Sequence, residues 1–310
     1  MKTTARAPRL GPLMTAMITP FDERGAVDLR EAARLARWLV EQGNHGLIVA
    51  GTTGESPALD DDEKVALFRA IKEAVGDRAA VVAGTGGNNT AHSIELTERA
   101  EKEGVDAALA VVPYYNKPPQ DGMLRHFGAI AEATKLPVIV YNIPGRTGAN
   151  MLPATLLELA RRHPNIAGVK ESSGDMAQMT AILRDRPAGF GVWSGDDHLL
   201  LPLLAMGGDG VISVAAHLCA REMREMIEAH ASGDVARAAR IHQDLALLTA
   251  TLFATTSPIP VKWAMNKIGF ACGPCRSPLG SMPDDLAARL EPMLATYRGR
   301  VRDRVATLSR

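Results

Sequence analysis

The chain has 310 residues, with 35 basic and 35 acidic side chains and a formal net charge of zero. That balance gives no long-range field for nucleic acid or an anionic membrane, and no stretch approaches the roughly 20 apolar residues that span a bilayer. Three cysteines do not make a disulfide scaffold, and the N-terminal MKTTARAPRL lacks the apolar segment of a secretory signal. A cytoplasmic protein with a substantial core is the expectation.

In chain order, short apolar runs alternate with segments of helical spacing. The runs are 12–18, 46–50, 79–83, 107–112, 137–141, 166–170, 190–194 and 210–214. Between them, 29–40 sets Leu35, Leu39 and Val40 on one face with Arg and Glu opposite; 65–75 and 94–103 behave similarly. Runs apolar along their whole length suggest strands buried on both faces in a parallel sheet. Eight such units fit an α/β protein with a closed (β/α)8 barrel better than an open sheet. Beyond the eighth run the pattern is helical only, over 217–230, 234–253, 261–269 and 283–305. This predicts a barrel over 1–219 and a C-terminal helical region over 220–310 that includes the last barrel helix.

Barrel chemistry sits where the loops leave the C-terminal ends of the strands. That rule selects Thr19, 51–56, 84–87, Tyr114 and Tyr115, 141–146, 170–173, 195–197 and 213–215. Lys170 ends the apolar run IAGVK. An ammonium inside a barrel is costly, which favours the neutral amine, and a neutral amine forms imines with carbonyls. A structural lysine paired with Glu171 or a nearby Asp is the bland alternative, but alternation along a strand points Lys170 and Glu171 in opposite directions. Lys262, in PIPVKWA, falls among the C-terminal helices and reads as structural.

GTTGES at 51–56 leaves the second run and leads into a helix beginning near Asp60. Its glycines let N–H groups and the hydroxyls of Thr52 and Thr53 converge on a carboxylate. No Gly-Lys-Ser/Thr follows, so it is not a nucleotide loop. A plain turn, with Ser56 or Asp60 capping the helix, is the competing reading. Of only four tyrosines in the chain, three fall at strand ends: Tyr114, Tyr115 and Tyr141. A phenol held close can pass protons to and from an enamine carbon, or simply pack at the rim. Arg146, in YNIPGRTG, can grip a carboxylate bidentately or make a surface ion pair.

Other signals point to less. Cys272 and Cys275 have thioredoxin-like CGPC spacing but lie between helices rather than at a helix N-terminus. The eight histidines show no zinc-ligand spacing, and no metal or organic cofactor is implied. Asp196, Asp197 and His198 read as strand-end polar residues and a helix cap. Arg298, Arg300, Arg302 and Arg304 read as a solvated helical tail.

MTAMITPFD, GTTGES, VVPYYNKP, YNIPGRTG, GVKES, WSGDD, GGDGVISV and PIPVKWA follow one another along nearly the whole chain. In this order they resemble the dihydrodipicolinate synthase branch of the pyruvate-dependent, Schiff-base aldolase family. The resemblance implies a barrel with C-terminal helices and a homotetramer built as a dimer of dimers. It also implies condensation of pyruvate with aspartate semialdehyde, without a cofactor, on the way to diaminopimelate and lysine. Lys170 would be the Schiff-base lysine and Tyr141 the proton guide. Thr52 and Tyr115 would complete a proton relay, Tyr115 reaching into the neighbouring subunit's site. Thr53 would hold the carboxylate of pyruvate and Arg146 that of the semialdehyde. The Ile212 carbonyl and Gly195 would line the floor.

Lysine-inhibited members bind lysine at the dimer interface through histidines after the GTTGES turn and a glutamate after GTG. This sequence matches the pattern at Ser56, Asn88 and Tyr114 but has Asp61, Lys64 and His92 in the remaining places. Without that glutamate, and with Lys64 repelling an ammonium, the implied site is vestigial and inhibition by lysine weak or absent. The alternatives are a sugar-acid aldolase or N-acetylneuraminate lyase-like enzyme of the same family, or a catalytically silent paralogue acting as a sensor.

Overall fold

Eight parallel strands close into one barrel in chain order in the computed structural model, which describes residues 10–298. They are β1 (Leu13–Ala16), β2 (Gly46–Val49), β3 (Ala80–Gly84), β4 (Ala107–Val111), β5 (Val138–Asn142), β6 (Ile166–Glu171), β7 (Gly191–Ser194) and β8 (Gly210–Ser213). β1 pairs with both β2 and β8, which closes the ring. Each strand lies within two residues of its predicted run at either end.

Alternation divides each strand between two environments. Met14, Ile48, Val82, Leu109, Ile139, Tyr141 and Ile212 meet inside the barrel. Leu13, Leu47, Val81, Val140, Val169 and Val211 belong to the outer core formed with the helices. Trp193 fills the interior beside Gly168 and Gly191; a Cβ on Gly191 would stand 2.2 Å from its ring.

The intervening helices are α1 (Leu29–Glu41), α2 (Asp61–Val75), α3 (Thr90–Lys102), α4 (Gln120–Glu132), a short α5 (Pro144–Thr147), α6 (Pro153–Arg162), α7 (Met176–Asp185) and α8 (Leu200–Ala205). α1 buries Ala32, Leu35, Ala36, Trp38 and Leu39 on one face, and Asp28 caps it. α2 starts with a reciprocal capping box between Asp60 and Glu63. The C-terminal helices are α9 (Ala216–Ala231), α10 (Val235–Leu252), α11 (Ile259–Ile268) and α12 (Asp284–Leu290). The expected division after residue 219 falls inside α9, at Cys219, whose φ/ψ is non-helical.

The helix expected over 283–305 is interrupted: it breaks after Leu290 and resumes over 295–298, and 299–305 lie outside the described residues. α12 ends at Leu290 and a 3-10 turn follows over Glu291–Leu294, where Pro292 has no N–H to continue the α-helical ladder. Arg298 pairs with Glu291 at 2.7 Å, whereas Arg300, Arg302 and Arg304 lie outside the described residues. No described helix is long and apolar enough to cross a membrane.

Candidate active site

Lys170 and Tyr141 are register partners on β6 and β5, and both are about 5% exposed. The Lys170 Nζ stands 4.2 Å from the centroid of the Tyr141 ring. Glu171 points the other way, as alternation requires, and is bonded to Asn142, Ser173 and Gln178 rather than to Lys170. The structural pairing of Lys170 with Glu171 is therefore absent. Gly195 leaves space beside the lysine: a Cβ there would meet Ser172 Oγ at 1.8 Å and Lys170 Cε at 2.8 Å. The buried Ser172 hydroxyl has no hydrogen-bond partner among the described residues.

The GTTGES turn is held from three sides. The Thr19 hydroxyl donates to the Gly54 carbonyl at 2.7 Å. The Glu55 carboxylate, at a left-handed φ of 57°, accepts from Lys262 Nζ at 2.7 Å and from the Arg276 N–H at 2.8 Å. Both side chains of the Glu55–Lys262 pair are 1% exposed, and Nζ also lies 3.9 Å from the Phe21 ring centroid. Burial pulls the Lys262 ammonium below its usual range, opposed by Glu55. Lys262 is thus a structural lysine that fixes α11 against the turn. Asp60 does cap α2, while Thr53 is buried and Thr52 half-buried in the turn before it.

A cavity of about 580 Å³ opens beside this turn. Thr52, Tyr141 and Arg146 line it, and so do Ser56, Asp61, Lys64, Asn88, His92 and Tyr114. Lys170, Thr53, Gly195 and Ile212 do not line it; Lys170 adjoins it through Tyr141. Arg146 is exposed, donates to the Ser257 carbonyl at 3.3 Å, and pairs with no carboxylate among the described residues. Asp61 binds His92 Nε2 at 2.6 Å and Lys64 Nζ at 3.3 Å. Burial pushes its carboxyl up, but the bonds from His92 and Lys64 outweigh that and hold it below the usual range. Tyr115 stands apart, 88% exposed, with φ +73°.

The remaining polar signals resolve locally. Asp196 makes no side-chain cap bond; instead Asp197 accepts from the N–H groups of Val214 and Ala215, at the start of α9. Cys272 and Cys275 are free thiols between α11 and α12, and burial raises them to about 12 and about 11, opposite to a reactive thiol. Sequence reasoning gave no role to Glu55 and weighed Glu171 only as a partner for Lys170. Alternation in a fully buried strand was the available sign for Glu171, since a carboxylate there must find donors.

The chain matches the Dihydrodipicolinate synthetase family over residues 9–296. A 4-hydroxy-tetrahydrodipicolinate synthase from Moorella thermoacetica is 57% identical over 87% of this chain and 92% of its own. A dihydrodipicolinate synthase structure from Bacillus anthracis superposes with a TM-score of 0.90 at 44% identity, covering 92% of this chain and 97% of that one. One from Cyanidioschyzon merolae, solved with lysine bound, gives a TM-score of 0.91 at 44% identity over 94% and 98%. This chain belongs to the dihydrodipicolinate synthetase family and is an enzyme of it.

Proposed function

We propose that this enzyme is a 4-hydroxy-tetrahydrodipicolinate synthase that joins pyruvate to aspartate semialdehyde through an imine on Lys170. The observation that carries the reading is the Lys170 amine held against Tyr141 on adjacent strand ends. Neutral Lys170 attacks C2 of pyruvate, and the carbinolamine loses water to give the imine. Loss of a methyl proton then gives an enamine, with the imine nitrogen as electron sink. The enamine carbon adds to the aldehyde, and the product's own amine displaces Lys170 and closes the ring.

Thr53 and the N–H groups of the GTTGES turn take the carboxylate of pyruvate, with Gly195 and the Ile212 carbonyl completing its surroundings. Arg146, exposed and without a carboxylate partner, takes that of the semialdehyde. Thr52 and Tyr141 share one cavity, which supports a relay through Tyr141, Thr52 and Tyr115. Tyr115 is too exposed to serve a lone subunit's interior. Its positive φ, unfavourable for a side-chain-bearing residue, supports contact with a second copy. A homotetramer in the cytoplasm, with the barrel over 1–219 and helices beyond, belongs to the same proposal. Ser56, Asp61, Lys64, Asn88, His92 and Tyr114 form the vestigial effector pocket.

Borohydride reduction with pyruvate alone tests the nucleophile. The expected result is inactivation with one reduced pyruvate adduct per chain, mapped to the peptide holding Lys170. An adduct elsewhere, or none in an active enzyme, contradicts the assignment.

A further inference from the structure

Asn142 and Glu171 are register partners one step beyond Tyr141 and Lys170. They therefore face away from the interior, and both are 1% exposed or less. Donors surround the Glu171 carboxylate. Oε1 accepts from the Ser173 N–H at 2.8 Å, Oε2 from Gln178 Nε2 at 3.2 Å, and Asn142 Nδ2 reaches both oxygens at 3.2 and 3.1 Å. None of these donors is a cation, and no described cation pairs with Glu171. A carboxylate accepts at every lone pair, whereas an amide would turn its NH2 towards another donor.

The network continues into the turn that carries Arg146. Asn142 Nδ2 donates to Asn150 Oδ1 at 2.8 Å, and the Met151 N–H donates to Asn142 Oδ1 at 3.0 Å. Asn150 and Gln178 exchange side-chain bonds at 2.9 and 3.2 Å. The segment from Asn142 to Asn150 is thus a closed loop, pinned at its base to Glu171, with the exposed Arg146 guanidinium on it. Held this way, its position is referred to the strand end that bears Lys170.

We infer that Glu171 is a positioning residue, touching neither substrate, that fixes the Arg146 turn relative to Lys170 and so sets the grip on the second substrate. The inference rests on the reading of Arg146 as the carboxylate-binding group for the semialdehyde. Lys170 itself is held by β5 and β7 on either side of β6, so loss of the network leaves imine formation in place and loosens the turn.

The test is steady-state kinetics in both substrates for full-length Glu171→Gln, Asn150→Ala, their double variant and Arg146→Ala. Glu171→Gln raises the KM for aspartate semialdehyde roughly fivefold or more and leaves that for pyruvate within about twofold. Borohydride trapping of pyruvate on Lys170 persists. Asn150→Ala gives the same split, and the double variant is no worse than the more affected single variant, because the two residues act through one chain of bonds. Equal changes in both KM values, an unchanged semialdehyde KM, or additive effects would overturn the inference. If Glu171→Gln fails to fold, Asn150→Ala and Gln178→Ala carry the same expectation. An unchanged semialdehyde KM in Arg146→Ala sinks both this inference and the role of Arg146. A raised value there with none in Glu171→Gln sinks this inference alone.

Discussion

Glu55 and Lys262 form a buried ion pair, Nζ to Oε1 at 2.7 Å, across 207 residues of sequence. It joins the GTTGES turn after β2 to α11, so the C-terminal helices brace the mouth of the barrel rather than merely follow it. Removing one partner of a buried pair leaves the other charge uncompensated. Lys262→Met is expected to lower unfolding stability by about 3–5 kcal/mol. Adding Glu55→Gln to it recovers part of that loss, since neither charge is then left alone. Denaturant unfolding of wild type and the two variants checks this; a loss below about 1 kcal/mol in Lys262→Met would mean that the pair is not holding the turn.

His217 supplies a pH dependence. Its ring donates from Nδ1 to the Val214 carbonyl at 2.8 Å and accepts the Ile18 N–H on Nε2 at 3.1 Å, so a second proton has no place. Burial lowers it to about 4. The unfolded chain takes up this proton near pH 6.5, before the folded one does. The stability held above that pH is therefore lost as pH falls from about 6.5 towards about 4. The loss is of order 3 kcal/mol. His126, also lowered to about 4 by burial, adds in the same sense, whereas Glu171, Asp196 and Asp197, raised by burial, oppose it. His217→Gln should flatten the slope of stability against pH relative to wild type. An unchanged slope would show that His217 takes up its proton in the folded protein.

Gly195→Ala places a Cβ against Ser172 Oγ and Lys170 Cε. The backbone tolerates alanine here, so the damage is displacement of the lysine. About a hundredfold loss of kcat/KM is expected, in line with shifts near 1 Å at a reacting group, with the melting temperature little changed. Wild-type activity would mean that the lysine has more freedom than this packing allows.

The spacing of apolar runs made the barrel legible before any coordinates, and the strand-end rule placed Lys170 and Tyr141 among many candidates, but that the two are register partners emerges only from the fold. Glu55–Lys262 was not legible, since nothing local marks a pairing across 207 residues. Glu171 was read only as the residue that could neutralise Lys170, and its partners Asn142 on β5 and Gln178 on α7 emerge only from the packing of those elements. The break inside the 283–305 helix was missed because periodicity outweighed Pro292. Asp61 illustrates the remaining gap: its sequence position marked a departure from the lysine-inhibited members' pattern, but its simultaneous hold on His92 and Lys64 is a property of the fold.

That hold bears on regulation. With Asp61 already bound to two cationic or hydrogen-bonding partners, the pocket has no free carboxylate for the ammonium of lysine. Lysine is expected to leave the rate unchanged in the submillimolar range. Half-inhibition at submillimolar lysine in a rate assay would contradict this reading of the pocket.

The central claim is tested most directly by the steady-state rate with pyruvate and aspartate semialdehyde, measured for wild type and for Lys170→Ala. The account predicts robust turnover in the first and none above background in the second, with both proteins folded. Turnover retained in Lys170→Ala, or absent in folded wild type, would contradict it.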